Sequence, residues 1–78
     1  MLGDELRVAR LAASWSQEKL AEEAGVSRNY VSLLELNRKS PTVDVLLALC
    51  RALDVSAAGI IRRVEREGVQ PRRRRGSS

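Results

Sequence analysis

Ser16, Ser27, Thr42 and Ser56 each stand immediately ahead of a run of apolar residues spaced at helical intervals. A hydroxyl at such a place accepts from the free N–H groups of a first helical turn, so the four residues mark four helix starts. Together with the run before Ser16 they divide the chain into five short helices, at about 4–13, 17–24, 28–36, 43–53 and 57–67. The first puts Leu6, Ala9, Arg10 and Ala13 on one stripe, and the second buries Leu20, Ala21 and Ala24. In the third, Val31 and Leu34 form the inner face. The fourth offers Val43, Leu46, Leu49, Cys50 and Leu53, and the fifth Ile60, Ile61 and Val64. Gly25 ends the second helix, Asn37 suits the left-handed closure of the third, and Pro41 separates the third from the fourth. Gly59 weakens the fifth by roughly 1 kcal/mol relative to Ala.

The rest of the sequence agrees with an all-α chain. Its 78 residues make one small domain, rich in Ala, Leu, Glu and Arg and without Phe. A single cysteine, Cys50, excludes an intramolecular disulfide, and the absence of histidine excludes a Cys/His metal site. The Met-Leu-Gly-Asp start has no signal pattern and no apolar run approaches membrane-spanning length, so the expected place is the cytoplasm. The net charge of +4 resolves into a neutral body and a basic end: residues 1–67 hold ten basic and ten acidic side chains, and the four arginines at 72–75 supply the excess. Residues 1–67 therefore read as the folded domain and 68–78 as a basic, disordered tail. No histidine, Gly-rich phosphate loop, carboxylate pair in a recognisable cleft or cysteine–base arrangement points to an enzyme. No cofactor, metal or small-molecule ligand is expected.

The segment "SQEKLAEEAGVSRNYVSLLE" has the outline of two helices joined by a glycine turn. Gly25 permits positive φ, Val26 plugs the corner, and Ala21 and Ala24 let the helices cross closely. With "SPTVDVLLALCRALDV" following in order, residues 6–61 resemble the Cro/phage-repressor (XRE) family of helix-turn-helix domains. That resemblance implies a compact five-helix bundle of the lambda-repressor kind, acting as a homodimer on a pseudo-palindromic operator in double-stranded DNA. It also implies that Gln17 holds a phosphate and that Arg10 and Glu35 pair. Spacing alone shows only that Arg10, on an otherwise apolar stripe, needs some partner once buried.

In such a unit the second helix enters the major groove and its first residues meet base edges. Arg28 suits the O6/N7 edge of guanine and Asn29 the N6/N7 edge of adenine. Ser27 and Ser32 are further base-contact candidates, although capping alone accounts for Ser27. Leu33 points away from the inner face and can pack on a thymine methyl; the plain alternative is that it completes the core. Tyr30, Arg38 and Lys39 join Gln17 as phosphate candidates. Leu36 and Asn37 depart from the family, where Arg or Asn and then Gly are common. On the fifth helix, Ala57, Ala58, Ile60, Ile61 and Val64 are candidates for a two-fold contact, unless they close the monomer core. A second reading remains open, a protein-interaction module that keeps the fold without an operator, suggested by Leu36 and by Glu18, Glu22 and Glu23.

Overall fold

The computed structural model describes residues 1–68, and the expected basic run at 72–75 lies outside them. Five helices follow in chain order: α1 (Leu2–Ala12), α2 (Gln17–Ala24), α3 (Arg28–Glu35), α4 (Val43–Leu53) and α5 (Ala57–Gly68). No strand occurs among the described residues. Helix α2 packs on α3 and α4, α1 packs on α3 and α5, and α4 touches α5. Every helix contributes to one core. Leu6, Leu20, Val31, Leu34, Leu49 and Ile60 are its most deeply enclosed side chains, each worth roughly 1.5–3 kcal/mol on transfer from water.

The helix starts are set locally. Ser16 Oγ accepts from the Lys19 amide at 3.0 Å and Ser27 Oγ from the Tyr30 amide at 3.0 Å. Thr42 Oγ1 accepts from Val45 at 3.2 Å and Ser56 Oγ from Gly59 at 3.1 Å. Each cap contributes about 1 kcal/mol. The helix ends use left-handed residues. Gly25, at φ 76°, closes α2 and lets the Val26 amide reach Ala21 O at 3.0 Å. Asn37, at φ 60°, closes α3 with two bonds, Asn37 N–H to Leu34 O at 3.0 Å and Arg38 N–H to Leu33 O at 2.9 Å. Ser14 and Asp54 close α1 and α4 from the same conformation, at φ 60° and 57°.

Five expectations change. Helix α1 begins at Leu2 rather than Asp4, because its first turn is capped from a distance: Asn37 Oδ1 accepts the Gly3 amide at 2.9 Å. Val43 is 71% exposed and Ala13 is also outside the core. Both sit at a helix end, beyond the reach of the packed neighbours. Helix α5 extends through Gly68, one residue past the expected boundary. Ile60, a candidate for the two-fold contact, is wholly buried against the other helices and offers no surface to a second chain.

Candidate nucleic-acid interface

Helix α3 is held by its inner face and its far end, which leaves its first turn open. Val31 and Leu34 enter the core, while Ser27, Arg28 and Asn29 are exposed. The Ser27 hydroxyl serves as the N-cap of the helix that carries the other two. Ser32 and Leu33 are half-buried on the outer side, and Leu33 is not part of the apolar cluster. Leu36 lies at the end of the helix, 62% exposed. Tyr30 packs partly against the core. The Lys39 ammonium sits 5.7 Å from the Tyr30 ring centroid. Arg38 and Lys39 themselves are exposed just past the helix.

The C-terminal end of α3 is anchored by a buried ion pair. Arg10 Nε donates to Glu35 Oε2 at 2.7 Å and Arg10 Nη2 to Oε1 at 3.0 Å. Arg10 Nη1 donates to the Trp15 carbonyl at 2.8 Å. The two residues are 8% and 7% exposed. This bidentate geometry with an additional acceptor is what a guanidinium requires before leaving water. Gln17 joins the same carboxylate, its Nε2 donating to Glu35 Oε1 at 3.1 Å. One amide N–H of Gln17 is thereby engaged, and its second has no partner among the described residues. Trp15, half-buried against the core, also lies under the Lys19 ammonium at 5.4 Å.

Two contributors escaped the reading of periodicity. Asn37 accepts from Gly3 and donates to Asp4 Oδ1 at 3.4 Å, so it joins the start of α1 to the end of α3. Arg7 lies on the same edge of α1 as Gly3 and Arg10, one turn from each, and lines an open cleft with Gln17 and Ser32. The signal for Arg7 is its helical spacing from those two residues, which means something only once α1 is known to lie along α3. Away from this region, burial raises the pKa of the Cys50 thiol, which keeps it protonated in the apolar interior.

Comparison with known proteins bears on the fold and the family. A family profile described as helix-turn-helix matches residues 6–60. The chain belongs to the XRE-type helix-turn-helix family. It is 33% identical over 61 residues to the transcriptional regulator ClgR of Mycobacterium tuberculosis, covering 78% of this chain and 54% of that protein. The chain thus spans about half the length of that regulator. Among solved structures it resembles the restriction-modification controller protein C.AhdI of Aeromonas hydrophila, with a TM-score of 0.74 and 34% identity, covering 76% of this chain and 89% of that one. It also resembles the biofilm master regulator SinR in complex with DNA, with a TM-score of 0.75 and 32% identity, covering 78% and 98% of the two chains.

Proposed function

We propose that this chain is a sequence-specific DNA-binding transcriptional regulator, acting in the cytoplasm as a homodimer on a pseudo-palindromic operator. The observation that carries the reading is the exposed start of α3, with Arg28 and Asn29 open on the surface and the opposite end of the helix fixed by the buried Arg10–Glu35 pair. A helix so held presents donors and acceptors to base edges without first paying to order itself. The DNA complex of SinR and the controller protein C.AhdI support the reading through a shared fold. In it, Ser27, Arg28, Asn29, Ser32 and Leu33 face the bases. Gln17, Tyr30, Arg38 and Lys39 face the backbone. Residues 1–67 form the binding unit, and 68–78 are a basic extension that adds sequence-blind affinity. With Ile60 buried, the two-fold contact falls to Ala57, Ala58, Ile61 and Val64. Binding requires no cofactor and no catalysis.

The test is selection of duplexes from a random library by the 78-residue chain. Anisotropy titrations of a selected and a scrambled duplex at about 0.15 M salt then measure preference, expected to reach at least about 10³-fold. Arg28→Ala is expected to cost about 1–3 kcal/mol on the selected site and to relax the choice of base at one position. Equal, weak binding to both duplexes would sink the proposal and favour a module that docks on protein through Leu36.

A further inference from the structure

The outer side of α2 and the start of α3 border an open cleft of about 530 Å³. Its charged lining is Glu18, Lys19 and Glu22 from α2 and Arg28 from α3, all four exposed. The Lys19 ammonium is engaged, 3.2 Å from the Glu23 carboxylate and 5.4 Å from the Trp15 ring centroid. No ion pair or side-chain hydrogen bond joins Glu18, Glu22 or Arg28 to another described residue. Two uncommitted carboxylates thus share a cleft with the arginine at the first position of α3.

Carboxylates beside a groove-entering helix repel the phosphates that an unguided arginine would otherwise seek. They also have a use. A guanidinium carries five N–H donors in one plane, and the O6/N7 edge of guanine accepts only two of them. The remaining donors face away from the base, where a carboxylate can accept them in charge-assisted bonds. An arginine clamped in this way has less freedom to lose on meeting a guanine, and its flat fork is already turned. Of the two acids, Glu22 is the one placed for this role. It lies in the last turn of α2, next to the Gly25 turn that leads into Arg28, whereas Glu18 lies one turn farther back.

We propose that Glu22 is a positioning residue for base reading: with α3 in the groove, its carboxylate takes the rear N–H groups of Arg28 and sets the guanidinium against the O6/N7 edge of a guanine. The proposal rests on the reading of α3 as the groove-entering helix. Glu22 itself touches no base. It exchanges affinity for choice, because the charge that orients Arg28 also repels the duplex.

The experiment uses the full 78-residue chain, a duplex enriched from a random library, its scrambled counterpart, and copies of the enriched duplex changed one base pair at a time. Arg28→Ala identifies the guanine whose choice it relaxes, and a thermal melt checks that each variant folds like the parent. Glu22→Gln is expected to bind the scrambled duplex more tightly, since it removes a negative charge beside a polyanion. It is also expected to lower the preference for that guanine on the order of fivefold. In the Arg28→Ala background the same change should leave the preference where it stands, a non-additivity that a merely structural role would not give. Glu18→Gln, with the same loss of charge, should tighten binding and keep the preference. If Glu22→Gln retains the parent's preference, or Glu18→Gln loses as much, the proposal is overturned while the DNA reading stands. An enriched duplex with no guanine read by Arg28 also overturns it. Failure of the library to enrich any duplex removes the DNA reading, and this proposal with it.

Discussion

Arg10 brings a full charge into the interior because its acceptors are waiting there, two carboxylate oxygens of Glu35 and the carbonyl of Trp15. Arg10→Ala leaves Glu35 buried with only Gln17 for company, at an expected cost of about 3–5 kcal/mol. Chemical denaturation should show that loss, and the double variant Arg10→Met with Glu35→Leu should recover much of it, because two matched apolar groups carry no unpaired charge. A smaller residue is equally constrained. A Cβ on Gly3 would come within 2.1 Å of Leu34 O and 2.9 Å of Glu35 O. Neither is a flexible group, so Gly3→Ala must push α1 away from α3, costing about 1–3 kcal/mol in a thermal melt. Spacing alone named neither partnership; the family resemblance supplied Glu35 for Arg10, and the structure shows that pair. Arg10 announced its need for a partner by sitting on an apolar stripe, but the acid that answers it is 25 residues away.

At the scale of the helix, local chemistry dominates, and here the sequence was most legible. All four hydroxyl caps lie where their spacing puts them, since a cap needs only the next three residues. The start of α1 lies earlier than its own residues suggest for the opposite reason, its capping oxygen being supplied by Asn37 of another helix end. Ser27 allows its two roles to be separated. Ser27→Asp retains a good N-cap and places a negative charge at the positive end of α3, so the melting temperature should hold or rise slightly. In the DNA complex proposed above the same carboxylate brings a negative charge into a polyanion's groove, and DNA affinity should drop by about tenfold or more at low salt, where repulsion is least screened. If Ser27→Asp keeps both its melting temperature and its DNA binding, Ser27 is a cap and nothing else.

For the whole molecule, the arrangement of α5 bears on the dimer proposed above. Ile60 belongs to the core, whereas Ile61 is 47% exposed on the adjoining stripe of the same helix. Ile61→Glu should therefore leave the monomer folded while shifting sedimentation from dimer to monomer. Ile60→Ala should instead destabilise the fold by about 2–5 kcal/mol. In the dimer proposed above, two α3 helices stand about 34–36 Å apart, one turn of DNA, so the half-sites of a selected duplex should be centred that far apart. Loss of the dimer should reduce affinity for the paired site far more than for a single half-site.

The sequence by itself determined the number of helices, their caps, the glycine turn between α2 and α3, and the exposed polar start of α3, because each depends on residues within a few positions of one another. It could not determine how far neighbouring helices reach around each apolar stripe. That is why Val43 and Ile61 lie in the open while Ile60 is enclosed. Nor could it choose partners for charges. Only the packing of α1 across α3 brings Glu35 to Arg10 and Gln17, and sets Arg7 along an open cleft with Gln17 and Ser32. A helical period defines a direction around one axis, and the distances between axes come from the tertiary fold.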